Sequence, residues 1–212
     1  MKGLAIFDFD GTLVDTSRGV FAGVNYALEA MGRPRDTDRA HLSRMIGPPI
    51  EDGFAQVYGI TDPAVVEHFR VYYRSQGVRE YEPYPGMEAL LRRLKAAGVR
   101  LAIATMKPEV FTRAILAELG WSDLFDEVTG VRLDAPPPKK SDLIGLALAA
   151  ASTPREDAVM IGDRTSDIDA GRAAGVATVY CRYGFGAPGE AELSGAAAIA
   201  DTVEEIERLL LA

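Results

Sequence analysis

The feature that most constrains the fold is an apolar run near the start of the chain that ends in two aspartates. The stretch from Gly3 to Thr16 reads GLAIFDFDGTLVDT. Residues 4–7 are typical of a strand buried on both faces, so Asp8 is predicted where that strand leaves the core. Side chains two residues apart on an extended backbone point the same way, which lets Asp8 and Asp10 converge. Such a pair repels by roughly 4 kcal/mol at an effective dielectric of about 20, which calls for a positive group between them.

From residue 84 onward, short apolar runs alternate with segments of helical periodicity. The predicted strands are 99–105, 125–129, 158–161 and 176–180, and the predicted helices are 87–97, 109–119, 142–151, 167–174 and 203–211. This alternation indicates successive βαβ units. It predicts an α/β fold with a doubly wound, parallel, Rossmann-like sheet, to which the first strand also belongs.

Between the first strand and residue 84 the pattern is helical. A first helix can be capped by Thr16 or Ser17 and ends at Gly32, and three more helices are predicted at 38–45, 49–58 and 62–75. No segment of this region alternates as a strand would over more than a few residues. We therefore predict a core domain of residues 1–15 and 84–212, interrupted by an all-α domain of residues 16–83.

Charge and residue usage exclude several classes of function. The chain carries 23 basic and 31 acidic residues, a net charge of -8, and its longest basic run is a pair. Nucleic acids and anionic membranes are therefore not expected partners. No apolar run approaches the roughly 18 residues of a membrane span, and Asp8 interrupts any signal-peptide pattern, which predicts a cytoplasmic protein. Cys181 is expected to be an inert buried thiol, and neither His41 nor His68 is expected to be a metal ligand or base.

Three later stretches carry polar residues suited to phosphate. Thr105 closes a strand and is followed by Met106, Lys107 and Pro108, where a hydroxyl and free N–H groups can cradle phosphate or simply cap a helix. A lysine pair, Lys139 and Lys140, precedes the helix that begins near residue 142. The stretch AVMIGDRTSDIDAG, residues 158–171, ends a strand in an aspartate and places a second aspartate one helical turn later.

Together, these four stretches resemble the four motifs of the haloacid dehalogenase-like (HAD) superfamily, in order. The resemblance implies that Asp8 is the nucleophile, forming an aspartyl phosphate, and that Asp10 is the general acid and base. The Thr105 hydroxyl, the Met106 amide and Lys140 would then hold the phosphoryl oxygens. The third motif is the least complete here, so Lys139 stays open as the alternative to Lys140.

The aspartates also predict a metal. Asp8, Asp10, Asp163 and Asp167 would gather several negative charges in one cleft against Lys140 alone, an imbalance that calls for a hard dication such as Mg²⁺. By resemblance, Asp8 and Asp163 give carboxylate oxygens and Asp10 gives its backbone carbonyl. Asp167 would orient Lys140 or lie behind the metal ligands, and Gly11 would allow a close backbone approach.

The helical insert resembles a cap domain that closes over the site and selects the substrate. Its stretch Ile46-Gly47-Pro48-Pro49, and Tyr183-Gly184-Phe185-Gly186 in the core, are similar to those of the phosphoglycolate phosphatase-like branch. Arg44 is a candidate to recognise a substrate carboxylate or second phosphate, with a solvated surface arginine as the alternative. The resemblance implies a phosphatase of a small phosphorylated metabolite. A phosphomutase, a 5'-nucleotidase or another phosphomonoesterase, and a noncatalytic protein of the same fold are the alternatives. Nothing in the sequence predicts the oligomeric state.

Overall fold

The computed structural model describes residues 3–211 and divides the chain into two compact units. One unit comprises Met1–Val14 and Pro83–Ala212, and the other is Asp15–Glu82. Each boundary lies one residue from the one predicted. Within residues 3–211, no helix is long and apolar enough to cross a membrane.

The first unit is built on a six-stranded parallel sheet. Its strands are β1 (Leu4–Phe7), β4 (Arg100–Pro108), β5 (Glu127–Val131), β6 (Ala158–Gly162), β7 (Ala177–Cys181) and β8 (Ala198–Ala200). Two-residue strands at the junctions between the units are β2 (Val14–Asp15) and β3 (Glu82–Pro83). The helices of this unit are α5 (Met87–Ala96), α6 (Glu109–Leu119), α7 (Lys140–Ala151), α8 (Thr165–Ala174), α9 (Glu190–Leu193) and α10 (Val203–Leu211).

The order of the sheet is β5-β4-β1-β6-β7-β8, with β1 in the middle. The chain thus winds outward from β1 in both directions, which confirms the predicted α/β, Rossmann-like fold class. Phe7 at the end of β1 is level with Ile103 of β4 and Ile161 of β6. The residues that follow these three positions therefore meet at one edge of the sheet, at the switch point where ligands bind in such folds.

Apolar side chains on both faces hold the sheet in place. All four residues of β1 are fully buried, as the unbroken apolar run predicts. Leu4 and Ile6 pack in one cluster with Ile144 and Ala147 of α7 and Met160 of β6. Strand β8 is absent from the prediction, because the stretch around Ala198 is a monotonous run of alanines with little β-propensity.

The second unit consists of helices α1 (Ser17–Ala30), α2 (Arg39–Ser43), α3 (Ile50–Tyr58) and α4 (Pro63–Ser75). Its apolar core contains a cluster of aromatic rings: Phe69 stacks on Tyr73 with ring centroids 5.4 Å apart and meets Phe54 edge to face at 6.3 Å. The predicted cap on α1 is wrong in detail. Neither hydroxyl caps the helix, and the side chain of Asp15 instead accepts a hydrogen bond from the Ser17 amide at 2.8 Å.

Candidate active site

The ends of β1, β4 and β6 bring the predicted site residues of the sheet unit together. Asp8 follows β1 directly, and its amide donates to the Ile161 carbonyl of β6 at 2.8 Å. Asp163 follows β6 and Thr105 lies near the end of β4, and both side chains are almost completely buried. The parallel register therefore gathers in space residues that are more than 150 positions apart in the chain.

Three of the aspartates form a compact acidic cluster. Carboxylate oxygens of Asp8, Asp163 and Asp167 lie within 4.8 Å of one another, and all three residues are buried. Burial, together with the charges of Asp167 and Asp8, raises the pKa of Asp163 well above its usual value. Burial also raises the pKa of Asp167 to about 6, although Lys140 opposes the shift. The raised pKa values indicate that the surroundings do not fully compensate three ionised carboxylates.

Lys140 is the cation within this cluster. It is the first residue of α7, and its Nζ lies 2.8 Å from Asp8 Oδ1 and also contacts Asp167 Oδ1. Burial by itself would lower the pKa of Lys140, but the charges of Asp167 and Asp8 raise it, so the ammonium stays charged. Lys139, the sequence alternative, is exposed at the start of the same helix. The other oxygen of Asp167 accepts from the Arg164 amide at 2.9 Å, which fixes the carboxylate against Lys140.

A second buried lysine, Lys107, pairs with Asp10. Its Nζ lies 3.0 Å and 3.3 Å from the two carboxylate oxygens of Asp10. The expectation that Lys140 alone faces the aspartates is therefore wrong. The predicted strand ends at Thr105, whereas β4 continues through Lys107 to Pro108, so the sequence pattern alone does not place Lys107 beside an aspartate. The side chains of Asp8 and Asp10 have separate partners, and the acidic cluster does not include Asp10.

Thr105 and Met106 lie in β4, which pairs with β1, and their contacts with phosphate stay a prediction. Thr105 is 1% exposed, and its hydroxyl oxygen accepts a hydrogen bond from the Lys107 amide at 3.2 Å. The side chain of Met106 packs against the apolar cluster of β1 and α7. The side chain therefore belongs to the core, and the contact of the Met106 amide with phosphate stays a prediction.

A loop contact that the sequence did not reveal holds Asp163 in place. The Thr12 hydroxyl donates to one oxygen of Asp163 at 3.2 Å, and the Phe185 amide donates to the other at 2.7 Å. Tyr183 in turn donates its hydroxyl to the Thr12 carbonyl at 2.9 Å. Gly11 has a φ of +82°, and a Cβ there would lie 2.2 Å from Asp163. A side chain at position 11 would thus displace the carboxylate.

The acidic cluster fits a hard divalent cation. Its donors are carboxylate oxygens, the ligands that Mg²⁺ prefers. Asp8 Oδ1 is buried, and although Lys140 lies close to it, no well-aligned hydrogen bond satisfies it within residues 3–211. The raised pKa of Asp163 points in the same direction, because a nearby cation would stabilise its charged form. These residues could therefore hold a metal ion.

The helical unit contains the remaining candidates. Arg44 directly follows α2 and is exposed, so its proposed role in selecting a substrate stays a prediction. His41 lies 3.3 Å from Asp36 and 3.7 Å from Asp38, and its side chain is about half exposed. The candidate residues other than Arg44 belong to the sheet unit.

Comparison with known proteins agrees with this geometry. Residues 5–181 match the model of the haloacid dehalogenase-like hydrolase family. A 5'-nucleotidase from Pseudomonas aeruginosa is 35% identical over 188 residues, covering 87% of this chain and 85% of that protein. A phosphoglycolate phosphatase from Psychrobacter arcticus is 37% identical over 198 residues, again 87% and 85% of the two proteins.

The similarity extends to solved structures. The crystal structure of a predicted phosphatase from Clostridium acetobutylicum matches with a TM-score of 0.92 and 32% identity, covering 100% of this chain and 99% of that one. These matches confirm the sequence-based predictions of the superfamily and of an HAD-like phosphatase as the class of enzyme. The chain belongs to the haloacid dehalogenase-like hydrolase family, in its phosphoglycolate phosphatase-like branch.

Proposed function

We propose that this protein hydrolyses the phosphate ester of a small metabolite, with Mg²⁺ bound and with a covalent aspartyl phosphate formed on Asp8. The observation that carries the proposal is the separation of the two aspartates of the first motif. Asp8 lies in the cluster with Asp163, Asp167 and Lys140, whereas Asp10 has a partner of its own. This separation supports different parts for the two carboxylates, attack on phosphorus for Asp8 and proton transfer for Asp10.

In this proposal, Asp8, Asp163 and the Asp10 carbonyl are the ligands of Mg²⁺. When bound, the ion neutralises negative charge on the phosphoryl group and on the attacking carboxylate. Asp167 holds Lys140 beside Asp8, through the contact between Lys140 Nζ and Asp167 Oδ1. Thr12 and the Phe185 amide keep the Asp163 carboxylate fixed, so the ligand set is preorganised by the surrounding chain.

The chemical steps are assigned to residues of the sheet unit. Asp8 attacks phosphorus in line, and the bond to the ester oxygen breaks as Asp10 gives that oxygen a proton. Lys140, the Thr105 hydroxyl and the Met106 amide bind the phosphoryl oxygens and stabilise their charge. Asp10 then takes a proton from water, which attacks phosphorus and releases inorganic phosphate from Asp8. The sum is ester plus water giving alcohol plus phosphate.

Two relatives support different substrates, a two-carbon acid phosphate and a nucleoside monophosphate. We propose phosphoglycolate or a similar small ester first, and a 5'-nucleotide as the second candidate. Residues 16–83 would act as the cap that chooses between them, with Arg44 reading the substrate's second anionic group. The cytoplasmic location remains a prediction from the sequence.

The experiment that tests the proposal is an ester panel with the full chain and Mg²⁺. Phosphoglycolate, nucleoside monophosphates and hexose phosphates are compared by kcat/KM, with phosphate release and ester isomerisation followed in parallel. We expect phosphate release, with the highest kcat/KM for a small acid phosphate, and no activity in Asp8→Asn.

Other outcomes contradict the proposal in distinguishable ways. An isomerised hexose phosphate without phosphate release would favour the mutase. No turnover of any ester would favour a noncatalytic protein of this fold. Full activity in a chelator would contradict the part assigned to Mg²⁺.

A further inference from the structure

Lys107 is a buried charge to which the proposed reaction assigns no part. Its side chain is 4% exposed, and that of its partner Asp10 is 12% exposed. The ammonium contacts both carboxylate oxygens of Asp10, at 3.0 Å and 3.3 Å. Because both oxygens meet the same group, the carboxyl plane of Asp10 has a defined direction.

The local fold brings Lys107 to this position. The register of β4 against β5 shifts between Ala104 and Pro108, and such an irregularity redirects the side chains within it. Gly130 of β5 faces the shifted segment, and a Cβ there would lie 2.9 Å from the Lys107 carbonyl. The Nζ also stands 5.9 Å from the centre of the Phe9 ring, in the chain segment between the two aspartates.

We propose that Lys107 is a positioning residue, which holds the Asp10 carboxyl group where it can pass a proton to the leaving oxygen of the substrate. The inference rests on the proposed function, since it assumes that Asp10 is the general acid. It concerns the place and direction of the carboxyl group. Proton transfer demands donor and acceptor within hydrogen-bond reach, so a carboxyl group that is free to rotate would transfer less often.

A solely structural role is the alternative. A buried lysine and a buried carboxylate can pair only because each compensates the charge of the other. In that case, its loss would weaken every reaction of the site to the same degree. A positioning role predicts a loss that depends on how much the leaving group needs a proton.

The test uses two esters with the full chain and Mg²⁺. The alkoxide of phosphoglycolate needs a proton to leave, whereas the phenolate of p-nitrophenyl phosphate leaves without one. Lys107→Met keeps the apolar stem and removes the ammonium. We measure kcat/KM, because it reports the steps through phosphorylation of Asp8 and excludes the later hydrolysis.

We expect Lys107→Met to lower kcat/KM for phosphoglycolate by about 10²-fold or more, the range for loss of general acid catalysis, and for p-nitrophenyl phosphate by less than about tenfold. Lys107→Arg should recover part of the phosphoglycolate rate. In the Asp10→Asn background, Lys107→Met should lower kcat/KM little further, because the effects of two residues that act as a unit do not combine multiplicatively. If Lys107→Met does not fold, Lys107→Gln retains an N–H donor and allows the same comparison.

Equal losses for the two esters would overturn the inference, as would an undiminished phosphoglycolate rate or a full additional loss in the Asp10→Asn background. Lys95→Met is the matched control, because Lys95 donates to the carbonyls of Asp123 and Leu124 and should leave both rates unchanged. A wild-type chain inactive toward both esters would overturn the proposed function and this inference with it. An active wild type with equal losses in Lys107→Met would overturn the inference alone.

Discussion

The sheet unit and the helical unit place their charges differently. In the sheet unit, carboxylates and ammonium groups are buried side by side: Asp8, Asp163, Asp167, Lys107 and Lys140. In the helical unit, ion pairs such as Arg35 with Glu29 lie at the surface, with both side chains about half exposed. What the helical unit buries around Phe69 is aromatic.

This difference supports the proposal that the chemistry takes place in the sheet unit. Burying a charge costs several kcal/mol unless partners compensate it, so a cluster of buried charges is weak evidence for stability. Such clusters gather where a protein needs shifted pKa values and fixed dipoles. In the sheet unit, the buried charges lie at the switch point of the sheet. The core of the helical unit consists instead of apolar side chains, whose burial stabilises the fold.

The largest expected effect is the loss of turnover in Asp8→Asn. The amide has nearly the same shape but is not a nucleophile, so we expect kcat to fall by about 10⁴-fold or more with the fold intact. Phosphate release and circular dichroism measure the two properties. Asp134→Asn, at an exposed aspartate paired with Arg132, is the matched control and should keep full activity. Wild-type turnover in Asp8→Asn would contradict the assignment of Asp8 as the nucleophile.

A core change in the helical unit should act on stability instead. Phe54 is fully buried, and its replacement in Phe54→Ala leaves a cavity beside Phe69. We expect the free energy of unfolding of this unit to fall by about 3–5 kcal/mol, measured by urea denaturation. Val71→Ala, at a residue 55% exposed in the same unit, should change it by less than about 0.5 kcal/mol. Equal effects for the two variants would contradict the aromatic core.

The two units should also respond to pH with opposite signs. The pKa of Asp167 is raised in the folded protein, chiefly by burial, to about 6. Its contribution to stability is therefore present below about pH 4 and is lost as the pH rises through about 6. The pKa of Asp36 is lowered, because hydrogen bonds from the Asp38 amide and Tyr58 outweigh burial. The stability from Asp36 is present above about pH 4 and is lost as the pH falls.

Thermal unfolding of metal-free protein from about pH 2 to 8 covers both windows, below about pH 4 for Asp36 and between about pH 4 and 6 for Asp167, and each effect is the difference between wild type and one variant. The wild-type advantage over Asp167→Asn should shrink as the pH rises, whereas the advantage over Asp36→Asn should grow. Two differences of the same sign would contradict the contrast between the units.

The smallest effect is expected for a surface ion pair of the helical unit. Arg70 lies 2.7 Å from Glu51, but the Glu51 side chain is 51% exposed. We expect Arg70→Ala to lower the free energy of unfolding by less than about 1 kcal/mol, since solvent screens such pairs. Urea denaturation at low and high salt measures the change. A loss comparable to that of Phe54→Ala would show that the surface charges stabilise this unit after all.

The fold was predictable where the spacing of apolar residues agrees with residues that begin or end a helix. The helices Glu109–Leu119 and Val203–Leu211 have the predicted bounds, because apolar spacing marks each one and Gly120 ends the first. The C-terminal end of β4 was not predicted, since the strand continues through Lys107 to Pro108, residues that favour neither state by themselves. Tertiary pairing with β5 decides that extension.

The aspartates of the candidate site were predictable from the sequence, but the side chains that contact them in space were not. The sequence shows Asp8, Asp163 and Asp167 at or just after the ends of strands, and the sheet register brings these three together, whereas Asp10 lies outside their cluster. The Thr12 contact with Asp163 depends on a loop whose direction no local pattern fixes. Lys107 was overlooked because a lysine after a strand usually lies in solvent. Only the packed structure shows that it is buried.

The central claim is that the buried aspartates exist for covalent phosphoryl transfer through Asp8. The most direct measurement mixes the enzyme with phosphoglycolate and Mg²⁺, quenches in acid within milliseconds, and maps the phosphorylated peptide by mass spectrometry. We expect a base-labile phosphoryl group on Asp8, present before phosphate is released and absent in a chelator. A phosphoryl group on another residue would contradict the claim, and so would phosphate accumulating in the quenched samples without any phosphorylated peptide.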